Sequence, residues 1–424
     1  SVGKFNRDLI WNIGSFGVVA VTGMLFQVLI ARVYGPSTLG AFNQAIALYI
    51  VFSQLSTSGI HLAVLQRISV LSDLKAEDFN LSKVHANIAT SLITVAAIAS
   101  VLVVLGYALS GLFGAIFSSD AVRMAWLYIL PGLWFFSLNK VLLNIVNGLR
   151  NMLVFALGQS ARYILMLIGL VLFILFEVEP IKLALIVTLT EAVLFFSLLI
   201  YVRCIQKISI RQFNKDVARD QLSFGFKGLW GNTLTDLNAR VDVIVLGIFI
   251  DDHIVGIYTL AAIIFDGLFQ FLIVLRNVFN PVIAACLSNN RVEEFNAKHR
   301  KIAKIAYFGT ITIGLCAILI YPYFIDLIIG DASFHEGLWP LIILVGGLSI
   351  AAGWLPLDML LIQAGYPAAQ SILKLMTVGT NIAFACLLVP LFGMVGAAAA
   401  SATSIVLSIL WLKIIAKNRI GISV

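Results

Sequence analysis

GNTLTDLNARVDVIVLGIFI, residues 231–250, is long enough to cross a bilayer as one helix, because a hydrocarbon core of about 30 Å takes roughly 20 residues at 1.5 Å each. From Val241 onward it is as apolar as lipid apart from Asp242, whereas its first half carries Asp236 and Arg240. A charge at the centre of a membrane helix costs about 2.5–3.5 kcal/mol on insertion scales, so these side chains must face something polar. The small and polar residues Gly228, Asn232, Thr235, Ala239 and Asp242 fall on one helix face beside them. Read as a span with one polar stripe, the segment decides the fold class, and the rest of the chain must supply further spans and the polar surroundings.

The composition supplies them. Of 424 residues, 61% are hydrophobic and 12% charged, which is the balance of an all-α integral membrane protein. Apolar runs between short polar breaks predict twelve helices, near residues 9–31, 40–66, 86–117, 122–148, 152–176, 181–203, 222–250, 254–285, 302–329, 337–365, 370–390 and 393–416. The first follows Lys4 and Arg7, as a signal peptide would, but it exceeds the roughly 7–15 residues of a signal-peptide core and reads as an uncleaved span.

The basic residues orient the spans. With the N-terminus inside, 19 lysines and arginines fall on the cytoplasmic side: Lys4, Arg7, Arg67, Lys75, Lys83, Arg150, Arg203, Lys207, Arg211, Lys215, Arg219, Arg291, Lys298, Arg300, Lys301, Lys304, Lys413, Lys417 and Arg419. The other side holds Arg32, Arg123 and Lys182. An asymmetry of this size predicts that both termini are cytoplasmic and that the number of spans is even. The net charge of +7 is then topology and contact with membrane lipid headgroups, with no nucleic acid implied.

The halves also resemble each other. Gly40, Phe42 and Ala45 align with Gly256, Tyr258 and Ala261 at an offset of 216, and Gly148 aligns with Gly365 at 217. Two nearly equal offsets so far apart predict six helices repeated in parallel, with an N-lobe at 1–203, a cytoplasmic linker at 204–221 and a C-lobe at 222–424.

Polar faces recur on several spans. Ser137, Lys140, Asn144 and Asn147 share one face, Gln159, Arg162 and Tyr163 another, and Asp266, Gln270, Asn277 and Asn280 a third with Arg276 at its edge. Asn43, Gln54, Thr57 and His61 follow the same pattern. Together these predict a central polar cavity. Its bases, Lys140, Arg162, Lys227, Arg276 and Lys374, lie toward the cytoplasmic ends of their spans, and Arg240 lies beyond the middle, which suits an anion entering from the cytoplasm. Simpler readings stand beside this one: Lys227 and Lys374 could snorkel to the headgroups, Asp236 and Arg240 could neutralise each other, and Asp266 and Asp358 could pair with bases of their own lobe.

Several chemistries find no sequence support. There is no GxxxxGK[ST], HExxH or nucleophile elbow, and Cys204, Cys286, Cys316 and Cys386 have neither pairing nor metal-binding spacing. The expectation is therefore no enzyme, no metal and no cofactor.

LIARVYGPSTLGAFNQA from Leu29, NARVDVIVLGIFIDDHIVGIYTLAA from Asn238 and LFGMVGAAAASATSIV from Leu391 resemble the polysaccharide-transport branch of the multidrug/oligosaccharidyl-lipid/polysaccharide (MOP) exporter superfamily, and most of all Wzx-type O-antigen flippases. The resemblance covers essentially the whole chain. It implies two six-helix lobes of the MATE type, moving an undecaprenyl-pyrophosphate-linked oligosaccharide from the cytoplasmic to the periplasmic leaflet of the bacterial inner membrane by alternating access. It gives Lys140, Arg162, Arg240 and Arg276 a part in binding pyrophosphate, with Lys227, Lys374, Asn144, Gln159 and Tyr163 as further cavity residues. Proton or sodium coupling would fall to Asp236, Asp242 or Asp266, and polysaccharide polymerase machinery would be a partner. The alternatives are a cation-coupled small-molecule exporter and a membrane glycan polymerase or ligase.

Overall fold

The computed structural model describes residues 2–73, 81–205, 212–288 and 291–420, and helix dominates them with no strand among the described residues. Lys75, Lys207 and Arg211, counted above with the inner basic residues, lie outside them. The helices are α1 (Val2–Thr57), α2 (Ile60–Asp73), α3 (Leu81–Ala108), α4 (Ser110–Ile116), α5 (Asp120–Gly148), α6 (Met152–Leu175), α7 (Leu185–Ile200), α8 (Lys215–Asn238), α9 (Val241–Phe249), α10 (Asp252–Ser288), α11 (Val292–Phe324), α12 (Leu338–Ala351), α13 (Leu360–Gln363) and α14 (Pro367–Ile420).

Nine helical segments among the described residues are long and apolar enough to cross a membrane. Two of them count twice. α1 kinks at Gly35 (φ 79°), beside Pro36, and α14 kinks at Gly393 (φ 56°), so each supplies two spans. The twelfth span is α8 followed by α9, the charged segment quoted first. The protein is thus a multi-span membrane protein with six spans before the central linker and six after it.

Three spans are broken inside. The second stops at Ser58–Gly59, both left-handed (φ 46° and 70°), before α2 resumes. A Cβ on Gly59 would sit 2.2 Å from the carbonyl oxygen of Gly225, so only glycine fits both the backbone angle and the neighbour. The seventh breaks at Ala239–Arg240 and the tenth between α12 and α13. Each break frees backbone groups that lipid cannot satisfy, and at the seventh and tenth spans side chains from other helices take some of them up. Asn381 Nδ2 donates to the Asn238 carbonyl (3.4 Å), His299 Nε2 bonds the Gly353 carbonyl (3.0 Å) and Gln370 Nε2 donates to that of Asp358 (2.8 Å).

The chain forms two compact units, residues 1–29 with 44–233 and residues 30–43 with 234–424. In the first, α5 is central and packs on α2, α3 and α7. Ile60 and Val64, Ile88 and Val95, Val141 and Leu142, and Leu194 interlock there. In the second, α14 packs on α9 and α12, and α10 on α11. Phe279, Ile283 and Phe295 meet Leu357, Leu361 and Leu412 in its core. At the turn before α12, outside the spans, the Ser333 hydroxyl and amide donate to the Asp331 carboxylate and hold its pKa below the ordinary range.

Candidate functional site

The polar faces on the spans place their charges in clusters, two in each unit. In the N-terminal unit, Arg162 of α6 meets Glu191 of α7: Nε donates to Oε1 (2.6 Å) and Nη2 to Oε2 (3.3 Å). Asn139 of α5 adds two bonds of 2.8 Å, one to Oε2 and one to the Glu191 carbonyl. The Phe136 ring lies 4.8 Å from the guanidinium and packs against Tyr49, and the charges of Arg162 and Glu191 both act on the Tyr49 hydroxyl, as does Tyr163. Glu191 is only 2% exposed. The guanidinium is therefore matched by a carboxylate that itself has a fixed donor, the arrangement a buried ion pair requires.

Lys140, the residue after Asn139 on α5, forms the second cluster, donating to Gln54 Oε1 (3.0 Å). Asn144 turns its amide back to the Lys140 carbonyl (2.7 Å), a local contact that helical spacing alone provides. Gln159 is half-buried on α6, and Lys227 is exposed on α8.

In the C-terminal unit the break in the seventh span sets the geometry. α8 ends at Asn238 and α9 begins at Val241, so Asp236 and Arg240 do not share a continuous helix and their four-residue spacing does not by itself pair them. Asp242 occupies the first turn of α9, where the helix dipole favours an acid. Its Oδ1 accepts from the Val243 amide (2.8 Å) and its Oδ2 from the hydroxyl of the fully buried Tyr258 (2.6 Å). The charges of Arg240 and Asp242 reach Asp266, and Tyr258 also bonds Ser401. Of the expected coupling acids, Asp242 is fixed by hydrogen bonds at the start of α9, Asp266 lies on α10, and Asp236 lies on α8 before the break.

The break in the tenth span carries the fourth cluster. Asp358 accepts from Lys374 Nζ at 2.8 and 2.9 Å and from Arg276 Nη1 at 3.3 Å. The pairing with bases of its own half, one of the two readings open for Asp358, is the one the structure has. All three side chains keep 20–24% of their surface. Two cations on one carboxylate leave positive charge in excess. The buried Arg276 Nε and the Asn280 and Gln370 amide oxygens have no hydrogen-bond partner among the described residues.

Tyr258, Ser401, Asn139 and Gln370 were not among the expected site residues. Only Tyr258 carried a signal, through its alignment with Phe42 in the repeat; the others are ordinary polar residues whose partners lie on different helices.

A model of the polysaccharide biosynthesis protein family matches residues 5–287, about two thirds of the chain. The chain belongs to the polysaccharide biosynthesis protein family. No curated protein matches it. Among solved structures it is similar to an inward-facing multidrug resistance MATE family transporter of the MOP superfamily, with TM-score 0.77 and 16% identity over 95% of this chain and 94% of that one. It is also similar to the lipid II flippase MurJ in an inward closed conformation, with TM-score 0.76 and 18% identity over 96% of this chain and 87% of that one. A MOP superfamily transporter from Pyrococcus furiosus matches at TM-score 0.57 and 15% identity over 98% and 96%. At these identities the likeness shows the fold, and it is the MOP fold expected for this polysaccharide biosynthesis family member.

Proposed function

We propose that this polysaccharide biosynthesis family member is a transporter and not an enzyme, and that it flips an undecaprenyl-pyrophosphate-linked oligosaccharide of the O-antigen type across the bacterial inner membrane by alternating access. The observation that carries the reading is the cluster at the break in the tenth span, where Arg276 and Lys374 converge on one carboxylate among the described residues, that of Asp358. Retained positive charge beside partnerless polar atoms is costly in a bilayer and suits a pyrophosphate. Lys140, whose ammonium donates to Gln54 Oε1, is the corresponding base in a span of the N-terminal unit. A small organic cation, the cargo of the rival exporter reading, would be repelled by both.

Coupling to a proton or sodium gradient falls to Asp242 and Asp266, whose group with Tyr258 and Arg240 holds two acids against one base, with Asp236 the third acid at the same break. Arg162 is given a supporting part, because its charge is already matched by the buried Glu191 carboxylate, which takes its Nε and one Nη2 donor.

The test is made in cells that depend on this chain for surface polysaccharide. Lys374→Gln and Lys140→Gln should each lower surface polysaccharide at least about tenfold, the effect of losing about 1.4 kcal/mol from one charged contact, with membrane levels of the protein unchanged. Full polysaccharide from both variants would overturn the anion-binding role and return weight to the exporter.

A further inference from the structure

At the break in the tenth span the acid and the two bases are held in different ways. Arg276 and Lys374 stand inside the long helices α10 and α14. Asp358 stands on the break itself, after the single 3₁₀ turn Leu355–Leu357 and before α13, a helix of four residues. The Gln370 side chain donates to its carbonyl (2.8 Å) and ties the backbone there to α14. The carboxylate can therefore turn away from the bases by rotation of one short side chain while both bases stay in register on their helices.

The bonds within the cluster are also unequal. Lys374 Nζ reaches both carboxylate oxygens, at 2.8 and 2.9 Å, whereas Arg276 reaches one of them through Nη1 at 3.3 Å, beyond the usual range for such a bond. Arg276 Nε is buried and takes no part, but Nη2 makes no hydrogen bond among the described residues and is not sealed in as Nε is. With 21% of its side chain exposed, Arg276 presents a guanidinium edge that Asp358 does not occupy.

We propose that Asp358 is a built-in competitor for the transported anion: it holds Arg276 and Lys374 between transport events, yields them to the pyrophosphate, and displaces the pyrophosphate when it returns. This rests on the reading of these bases as an anion site and adds how that site lets go. A pyrophosphate diester carries one negative charge on each phosphorus, which two bases match only once Asp358 has turned away. The anion meets Arg276 Nη2 first, and Lys374 then changes partner. Transport needs release as well as binding, and the returning carboxylate is the group in this cluster that opposes a bound anion.

The test titrates inorganic pyrophosphate into the full chain in a nonionic detergent, with an apparent Kd read from the thermal unfolding midpoint, and measures surface polysaccharide in cells that depend on the chain. Asp358→Asn should tighten the apparent Kd about tenfold and yet lower surface polysaccharide at least about threefold at unchanged membrane level, because binding gained without release slows delivery. Lys374→Gln should weaken the apparent Kd about tenfold. Adding Asp358→Asn to Lys374→Gln restores the cluster's native net charge and should bring the Kd back to within about threefold of the native value; this double variant also decides the matter if Asp358→Asn alone does not accumulate. A double variant that binds as weakly as Lys374→Gln overturns the competition and leaves the anion site standing. Native surface polysaccharide from a tighter-binding Asp358→Asn overturns the part in release. Absence of any response to pyrophosphate in the native chain and in every variant overturns the anion site itself, and the competitor with it.

Discussion

Glu191 takes three charge-assisted bonds, two from Arg162 and one from Asn139, and water reaches almost none of it. Removing one partner of such a pair strands the other charge, which costs about 3–5 kcal/mol. Glu191→Gln keeps the volume and an acceptor for Asn139 but leaves the Arg162 guanidinium uncompensated. It should lower the thermal unfolding midpoint in detergent by several degrees, and Arg162→Lys, which cannot span both carboxylate oxygens, should do so by less. An unchanged midpoint in Glu191→Gln would mean that the pair contributes nothing and that Arg162 is available to a ligand. The sequence shows that Glu191 is the one acid in the first six spans. It does not show the pairing, because Arg162 and Glu191 are 29 residues apart on different helices and helical periodicity says which face a residue is on without saying what that face meets. The same holds for Asp358, whose partners lie 16 and 82 residues away.

At the scale of elements, the spans were legible and their interruptions were not. Length and hydropathy mark a span because the bilayer fixes both, so the charged seventh span was found from its apolar second half. The break at Ala239–Arg240 contains neither glycine nor proline and is held by Asn381 from another helix, which no local pattern announces. The repeat reading did point to one packing feature, the paired positions Gly40 and Gly256. A Cβ on Gly40 would lie 1.9 Å from the Asp252 carbonyl oxygen, and one on Gly256 would lie 1.8 Å from that of Pro36. The neighbours are backbone atoms, so no side chain can turn aside, and the second and eighth spans must separate to admit a methyl group. Gly40→Ala and Gly256→Ala should therefore each lower the yield and unfolding midpoint of the folded protein. Gly267→Ala in the same α10 meets nothing within 4 Å and should raise stability by about 0.5–1 kcal/mol through helix propensity. If all three behave alike, the close approach is not what constrains the pair.

For the whole molecule, the charge sorting that calls for an even number of spans also sets their orientation, and the native cysteines can report it. Cys204 is exposed and follows Arg203, at the end of the sixth span assigned to the cytoplasm. Glu336 lies before α12, in a turn assigned to the periplasm. Cys286 is buried, and Cys316 lies within α11, where lipid covers an exposed thiol. In a chain that keeps Cys204 alone, a membrane-impermeant maleimide should leave intact cells unlabelled and should label the protein once the inner membrane is permeabilised. A chain with Glu336→Cys as its single cysteine should label in intact cells whose outer membrane admits the reagent. The reverse pattern would invert every assignment of side made from lysine and arginine. The basic clusters would then face an anion arriving from the periplasm.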